Sequence, residues 1–301
     1  MDGHRVAPVR DESALLGLGT VVDATGLIPA DARGPLIATL VAYASTARRL
    51  GAERIAFVGT EPLRRAADAR AVVVAVEGAT GVPVHVVDHR EEGLLTLLGA
   101  TSGRAVQAEL LLVDIGGGST QIVLVGPARR ASATGLRVGG ARLTEAYVTH
   151  DPPTRGEIAA LRAAASAALR AGPDAAPAEI VIVGGTASNL LKIVPGSLGD
   201  RSLTLERLAE AFETLCGASA ADVAVRFAIR PQRARILAAG AALLEATLAR
   251  YGVPRATASE EGIREGTVLA LARAGAAWRD RLEALAHGWG ADGAAGPAAE
   301  H

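Results

Sequence analysis

The stretch that decides the fold reads Leu111-Leu112-Val113-Asp114-Ile115-Gly116-Gly117-Gly118-Ser119-Thr120-Gln121-Ile122-Val123-Leu124-Val125. An apolar run ends in an aspartate, three glycines and two hydroxyl residues follow, and a second apolar run begins. This pattern predicts a strand, a tight turn and a second strand, so the tip of the hairpin is nearly all backbone. Glycines let backbone N–H groups converge with no Cβ in the way, which is how a loop cradles phosphate.

The hairpin admits two interpretations. A glycine-rich turn that binds nothing needs neither the preceding aspartate nor the following hydroxyls, so we favour a phosphate loop. Asp114, at the end of a buried strand, is then placed to hold Mg²⁺ or a water. The predicted phosphate ligands are the amides and hydroxyls of Gly116, Gly117, Gly118, Ser119 and Thr120.

Composition narrows the class of protein. The chain has 301 residues, enough for two domains, and it is 50% hydrophobic and 21% charged, which is typical of a globular protein. A net charge of −1 indicates neither nucleic acid nor an anionic membrane as a partner. No apolar run approaches the roughly 20 residues of a membrane helix, and Met1 to Arg10 carries no signal-peptide core, so we predict a cytoplasmic protein.

A single cysteine, Cys216, excludes an internal disulfide. It shares a helical spacing with Leu208, Phe212 and Leu215, which indicates a core position rather than a nucleophile.

Strand-like runs alternate with helical patterns along the chain, which predicts an α/β architecture. The strand-like runs are Arg54–Val58, Pro83–Val87, Glu109–Asp114, Gln121–Val125 and Glu179–Val183. Helices are predicted over 36–50, from Pro62 to about Glu77, from a capping box at Thr154 and Glu157, over Leu205–Leu215 capped by Thr204, and over Gln232–Tyr251 and Gly262–Ala274. We predict a first domain over 1–105, a second over 106–275, and a helix end with a disordered tail over 276–301, the tail beginning after Ala286.

A second glycine-rich turn follows the strand at Val181–Val183. Gly184, Gly185 and Thr186 lead into a helix predicted to open at about Asn189. Helix N-termini attract anions through free N–H groups and the helix dipole, so these three residues are also predicted to bind phosphate. Two such turns in one α/β unit resemble the architecture of actin-like ATPases and sugar kinases.

Six segments together resemble, in order, the exopolyphosphatase / guanosine pentaphosphate phosphohydrolase family. They are Val22–Ile28, Gly59–Arg64, Glu91–Ala100, Asp114–Thr120, Val183–Ala187 and Gly262–Gly266. The resemblance implies two actin-like, ribonuclease H-like domains flanking a cleft, and a Mg²⁺-dependent hydrolase of terminal phosphoanhydride bonds. It also implies a homodimer.

The resemblance implies roles for three further residues. Glu92 takes the position of the catalytic glutamate that orients or deprotonates the attacking water, and Glu91 takes it if the register is off by one. Arg64 would lie near the cleft, where a guanidinium matches phosphate. Without the resemblance, the two glutamates would be a solvated first helical turn, and Arg64 a surface residue. Arg264 and Glu265 are expected to tie down the closing helix.

The chain departs from the family in two places. The opening hairpin with its first phosphate loop, about 25–35 residues, is missing, so the first domain is expected to be truncated at its N-terminus. Either the start is set too far downstream or half of the phosphate clamp is lost. Gln121 stands where the family has a glutamate that helps to hold the metal, and glutamine lacks its negative charge.

Three functions remain open at this point. The leading hypothesis is a Mg²⁺-dependent hydrolase acting on polyphosphate or guanosine pentaphosphate, with Asp114 and Gln121 at the metal. The second is a catalytically impaired relative that binds either substrate as a sensor. The third is an ATP-dependent sugar kinase or ATPase, which the hairpin alone would permit.

Overall fold

A computed structural model describes residues 6–14 and 16–288. The chain divides into two compact units, an N-terminal unit over Ala7–Glu92 and a C-terminal unit that starts at Gly93. The division falls within the helix that spans His89–Thr101, whose residues from Gly93 onward belong to the C-terminal unit, where a Cβ on Gly93 would lie 2.8 Å from Val123.

The N-terminal unit packs helices around a two-stranded parallel sheet. Its elements are α1 (Leu18–Thr25), α2 (Ala30–Arg49), β1 (Phe57–Gly59), α3 (Glu61–Arg65), α4 (Ala69–Thr80) and β2 (Val84–Val86). The two strands pair in the register Phe57↔Val84. Val22, Ile28, Val72 and Val76 form its buried core. The strand-like runs predicted from the sequence here are confirmed, although each strand is shorter.

The helix predicted from Pro62 to about Glu77 is instead two helices, α3 and α4. The chain leaves the helical conformation at Ala66, where ψ is 125°. Asp68 then accepts the Ile28 N–H at 2.9 Å and lies 2.5 Å from Nη2 of Arg33. These contacts bind the Asp68 side chain to Ile28, between α1 and α2, and to Arg33 in α2. Asp68 is the residue before the first turn of α4, so the contacts fix the point at which the second helix starts.

The C-terminal unit is built on a six-stranded sheet. Helix α5 (His89–Thr101) leads into it. The remaining elements are β3 (Leu110–Ile115), β4 (Thr120–Val125), β5 (Ser132–Leu136), α6 (Gly140–Tyr147), α7 (Arg155–Leu169), β6 (Glu179–Val183), α8 (Gly184–Ile193), α9 (Ser197–Asp200), β7 (Ser202–Thr204), α10 (Leu205–Gly217), α11 (Ala220–Arg226), α12 (Pro231–Arg235), α13 (Leu237–Tyr251), β8 (Arg255–Ala258), α14 (Ile263–Ala274) and α15 (Trp278–His287).

The strand order is β5-β4-β3-β6-β8-β7. Strands β3, β6 and β8 are parallel, and the β3–β4 hairpin is antiparallel in the predicted way. The central strands read as continuous apolar runs because both faces of the sheet are covered; Leu111, Leu112 and Val113 are all buried. This placement brings the ends of β3 and β6 to the same edge of the sheet.

Two predicted caps are confirmed by hydrogen bonds. Thr154 and Glu157 form the reciprocal capping box of α7, and the Thr204 hydroxyl accepts from the Arg207 N–H at the start of α10. At α14, Glu265 Oε2 accepts the Gly262 N–H at 2.8 Å, which ties down the start of that helix as expected.

Other predictions for this unit were wrong or incomplete. Strands β5, β7 and β8 escaped detection because they are short and carry few large apolar residues. The helix predicted over Gln232–Tyr251 breaks at Ile236, where φ is −99° and ψ is 2°. Helix α15 continues to His287, and the predicted tail over 289–301 lies outside the described residues. None of the helices between residues 6 and 288 has the length and apolarity needed to cross a membrane.

Candidate active site

The glycine-rich hairpin connects β3 to β4 in a tight turn. The Gly116 N–H donates to the Ser119 carbonyl at 2.9 Å, closing the turn. Below it, Asp114 pairs with Gln121 across the two strands. The turn therefore projects beyond the sheet while the two predicted metal ligands face each other at its base.

The carbonyl groups of this loop are held by helix α6. The Gly140 N–H donates to the Gly116 carbonyl at 2.9 Å, and the Ala141 N–H donates to the Gly117 carbonyl at 2.8 Å. Arg142 Nε donates to the Gly118 carbonyl at 2.9 Å. Since the carbonyls are bound, the peptide planes of the loop have a set orientation, and Arg142 adds a positive charge beside the tip.

The amides of the same loop are available to a ligand. Among the described residues, the N–H groups of Gly117, Gly118 and Ser119 make no hydrogen bond. Gly118 is exposed, and the other two are half-buried. Three neighbouring donors with no protein acceptor are what a loop needs in order to bind an anion such as phosphate.

Two predicted phosphate ligands are committed to the scaffold instead. The buried Thr120 hydroxyl donates to the Val138 carbonyl at 2.7 Å, and the buried Thr186 hydroxyl donates to the Ile115 carbonyl at 2.7 Å. Each hydroxyl has one proton, and here that proton is used within the fold. In this structure the two side-chain protons are therefore directed to backbone carbonyls and not to a phosphate, which is where the sequence analysis expected them.

The second glycine-rich turn lies directly beside the first. Val183, at the end of β6, pairs with Asp114. Helix α8 begins at once at Gly184, and not at the predicted Asn189, because Gly184 turns sharply at a φ of +82°. A Cβ on Gly184 would lie 2.6 Å from Asp114 Oδ1. Only glycine allows this approach, so the backbone at the start of α8 lies directly against the Asp114 carboxylate.

The structure places an arginine beside the second glycine-rich turn, at a position that the sequence analysis did not identify. Arg233, in α12, is exposed, and its guanidinium carbon lies 3.6 Å from the position that a Cβ on Gly185 would occupy. No carboxylate within the described ranges pairs with it. The three arginines within the six residues Arg230–Arg235 were the available signal, but nothing in the sequence connects α12 with Gly185.

The residues present fit a Mg²⁺ ion that shares its coordination with a substrate. Asp114 offers a carboxylate and Gln121 an amide oxygen that is shielded from solvent. Over the described part of the chain, no group of three or more His, Cys, Asp or Glu residues could hold a metal. Mg²⁺ is commonly held by one or two carboxylates together with phosphate oxygens and water, which is the kind of donor set available here.

The N-terminal unit carries the predicted catalytic glutamate. Glu92 Oε2 lies 2.6 Å from Nη1 of Arg64, and the two side chains are 18% and 13% exposed. Arg64 also donates to the Val87 carbonyl at 2.7 Å, and its Nη2 lies 3.1 Å from Nδ1 of His89. Arg64 is therefore not the surface residue expected by default: it holds the Glu92 carboxylate in a set position.

The neighbouring glutamate has a different environment. Glu91 Oε2 accepts the Asp88 N–H at 2.9 Å, and Asp88 Oδ1 accepts the Glu91 N–H at 2.7 Å. This reciprocal pair caps the start of α5. Two adjacent glutamates in one helical turn thus have different partners: Glu91 caps the helix, and Glu92 pairs with an arginine. This difference favours Glu92 over Glu91 as the catalytic glutamate.

Cys216 lies in α10, half-buried and packed against the core of the C-terminal unit, as predicted. Burial raises the pKa of its thiol. A raised pKa disfavours the thiolate, so the side chain behaves as a small apolar residue and not as a nucleophile.

Comparison with known proteins agrees with this geometry. The profile of the Ppx/GppA phosphatase family matches residues 1–274. The chain is 29% identical over 285 residues to exopolyphosphatase 2 of Mycobacterium tuberculosis, covering 88% of this chain and 89% of that protein. It is 28% identical over 285 residues to exopolyphosphatase 1 of Mycobacterium leprae, covering 89% and 82%.

Solved structures show the same fold. The crystal structure of the Aquifex aeolicus member of the Ppx/GppA family is 26% identical, with a TM-score of 0.73 over 85% of this chain and 86% of that chain. An exopolyphosphatase from Cytophaga hutchinsonii, 19% identical, has a TM-score of 0.74 over 87% and 89% and supports the fold alone. The predicted α/β, actin-like fold is confirmed, and the chain belongs to the Ppx/GppA phosphatase family of phosphoanhydride hydrolases.

Proposed function

We propose that this chain is a Mg²⁺-dependent exopolyphosphatase that releases the terminal phosphate of inorganic polyphosphate. One observation carries the proposal. Two glycine-rich turns lie side by side at the carboxyl ends of the parallel strands β3 and β6, where α/β proteins bind ligands. One turn presents the amides of Gly117, Gly118 and Ser119, and the other opens α8 beside Arg233. The named curated relatives are exopolyphosphatases, which favours polyphosphate over guanosine pentaphosphate.

The chemistry assigned to these groups is positioning and charge neutralisation. Phosphoryl transfer needs little covalent help from the protein, but it does need phosphate oxygens held in place and a directed water. The loop amides and Arg233 would bind phosphate oxygens. Bound Mg²⁺, held through Asp114 and Gln121, would supply further neutralisation of charge on those oxygens.

Glu92 would direct the nucleophile. Its carboxylate accepts a proton from water as the water oxygen attacks the terminal phosphorus, and the bridging P–O bond breaks to release the shortened chain. The ion pair to Arg64 sets the orientation of the carboxylate. Because the pair is mostly buried, its geometry does not depend on a flexible surface side chain.

The test is phosphate release from long-chain polyphosphate and from guanosine pentaphosphate, each with and without Mg²⁺. The expected result is Mg²⁺-dependent release from polyphosphate. Release from guanosine pentaphosphate alone would reverse the substrate assignment. Release by neither, combined with a raised melting temperature in the presence of polyphosphate, would identify a binding protein, a second candidate that the uncharged Gln121 opposite Asp114 favours.

A homodimer, which the family resemblance implies, and a cytoplasmic location complete the proposal. Light scattering coupled to size-exclusion chromatography measures the oligomeric state directly. A mass equal to one chain at micromolar concentration would contradict the dimer.

A further inference from the structure

The tip of the glycine-rich hairpin lies directly against the start of helix α6. A Cβ on Gly139, the residue before that helix, would lie 2.5 Å from the Gly117 carbonyl oxygen and 2.7 Å from the Gly116 carbonyl oxygen. A side chain at position 139 would therefore collide with the turn. Because glycine stands there, the first N–H groups of α6, which have no partner within their own helix, reach the carbonyls of the turn.

Three consecutive carbonyls of the turn are held from the same side. Those of Gly116 and Gly117 accept backbone N–H groups at the start of α6, at 2.9 and 2.8 Å. That of Gly118 accepts Nε of the Arg142 side chain, at 2.9 Å. The peptide bonds of the turn are trans. In a planar trans peptide the C=O and the N–H that follows it point in opposite directions, so each carbonyl held by α6 turns the next N–H away from that helix.

The last of these three peptides is oriented by a side chain and not by the backbone. The Gly118 carbonyl and the Ser119 N–H belong to one peptide, so the hydrogen bond from Arg142 fixes the direction of that N–H. The N–H groups of Gly117 and Gly118 are fixed in the same way by main-chain donors. A substitution at Arg142 can therefore release one of the three amides while the other two keep their donors.

We propose that Arg142 is a positioning residue for phosphate binding, whose Nε holds the Gly118–Ser119 peptide so that the Ser119 N–H faces a phosphate oxygen. The inference rests on the proposed function, since it takes the amides of this turn as the phosphate site. Glycine leaves the backbone conformationally free, so an unheld peptide beside Gly118 could rotate. A donor that is already oriented loses less conformational entropy when the anion binds.

Two substitutions separate the hydrogen-bond donor of Arg142 from its charge. In glutamine, Nε2 is the same number of bonds from Cα as Nε is in arginine, so Arg142→Gln keeps an N–H donor without the positive charge. Methionine has a methyl group at that place, so Arg142→Met removes both the donor and the charge. The control is Arg255→Met. Arg255 is exposed at the start of β8, which is parallel to β6, and so lies at the opposite edge of the sheet from the glycine turns.

The first readout is steady-state release of phosphate from polyphosphate. We expect Arg142→Met to lower kcat/KM roughly tenfold, because one hydrogen bond to a charged oxygen is lost. Arg142→Gln and Arg255→Met should stay near the wild-type value. Equal losses in Arg142→Gln and Arg142→Met would mean that the residue acts through its charge and would overturn the inference. An unchanged kcat/KM in Arg142→Met would overturn it as well.

The second readout is spectroscopic and does not need turnover. The sequence contains two Gly-Ser pairs, Gly118-Ser119 and Gly196-Ser197. Protein made by cell-free synthesis with carbon-13 in the glycine carbonyls and nitrogen-15 in serine therefore gives two carbonyl-to-amide signals in an NMR spectrum. One signal reports the turn. The other reports the buried Ser197, at the start of α9, and its unchanged position in a variant shows that the variant is folded.

Inorganic phosphate is titrated into each labelled protein. We expect the Ser119 amide signal to shift with phosphate in the wild type and in Arg142→Gln. In Arg142→Met, the Gly118 carbonyl signal should move before phosphate is added, since it loses its donor, and the Ser119 response to phosphate should weaken. An equal response in Arg142→Met, or none in the wild type, would overturn the inference whatever the turnover. A wild type that shows the expected responses but releases no phosphate from polyphosphate would overturn the proposed reaction and keep the role of Arg142.

Discussion

Arg64 Nη1 and Glu92 Oε2 lie 2.6 Å apart, although 28 residues separate them along the chain. The pair joins the end of α3 to the first turn of α5. Both side chains are mostly buried, and the same Nη1 atom donates to the Val87 carbonyl. A carboxylate held in this way is preorganised, which distinguishes Glu92 from the adjacent helix-capping Glu91.

Glu92→Gln should abolish phosphate release from polyphosphate and leave its binding nearly unchanged. The amide keeps the size of the side chain but cannot take a proton from water. Single-turnover phosphate release and polyphosphate anisotropy measure the two effects. Glu91→Gln is the control, and we expect it to lower the melting temperature through the weakened cap while retaining turnover. Full turnover by Glu92→Gln would remove this residue from the mechanism.

Arg64→Lys should lower kcat for polyphosphate by at least tenfold. Lysine keeps the charge, but its three donors lie on a single nitrogen. It therefore cannot contact Glu92 Oε2, the Val87 carbonyl and His89 Nδ1 at the same time, as the two terminal nitrogens of Arg64 do. The measurement is kcat and KM across pH. Arg65→Lys is the matched control, since Arg65 lies on the same helix as Arg64 and pairs with Glu61 of α3 and Asp23 of α1. Equal losses in the two variants would point to α3 stability and not to Glu92.

Gly184→Ala should reduce phosphate release far more than Gly196→Ala. Both glycines have a positive φ, +82° and +78°, so each substitution costs about 1–2 kcal/mol in backbone strain. The new Cβ at 184 would also lie 2.6 Å from Asp114 Oδ1, whereas the Cβ at 196 would meet nothing within 4 Å. Activity is compared after matching the folded fractions by calorimetry. Similar activities would show that Asp114 does not need its present position.

Gln121→Glu should lower the Mg²⁺ concentration that gives half-maximal phosphate release. A second carboxylate opposite Asp114 adds charge where the metal is proposed to bind, and Mg²⁺ favours charged oxygens. Titration of activity with Mg²⁺ measures the shift. Gln107→Glu, at an exposed position, controls for the change in net charge. An unshifted titration would place residue 121 away from the metal.

Acid should destabilise the C-terminal unit partly through Glu157. The N–H groups of Thr154 first, and then of Thr149, hold the pKa of this carboxyl far below its ordinary 4.5. A depressed pKa in the folded state stabilises the protein above pH 4.5, and that stabilisation is lost as pH falls below it. Urea unfolding at pH 7, 4 and 3 should therefore show a steeper loss for the wild type than for Glu157→Gln. Glu145→Gln, at an exposed position in α6, should retain the wild-type slope.

The hairpin around Gly116–Gly118, the capping box at Thr154 and the core position of Cys216 could all be predicted from the sequence. Each depends on residues that are close along the chain or on a repeating apolar pattern. Local backbone freedom, capping hydrogen bonds and helical spacing need no knowledge of distant segments. The order of the family-like segments along the chain likewise indicated the actin-like fold.

The functions of single hydroxyls and charges could not be predicted in this way. Thr120 and Thr186 donate to carbonyls 18 and 71 residues away, and Arg233 approaches a glycine in another helix. Whether a side chain faces a ligand or the scaffold depends on which partner packing brings within hydrogen-bond distance.

The sequence by itself determined the β3–β4 hairpin, the second glycine turn, the capping box of α7 and the family, because these follow from short-range patterns. The tertiary structure decided which turn atoms are free to bind phosphate, which of Glu91 and Glu92 is held by an arginine, and where Arg233 of α12 lies. Those outcomes depend on packing between segments far apart in the chain, and a linear pattern carries no distance between them.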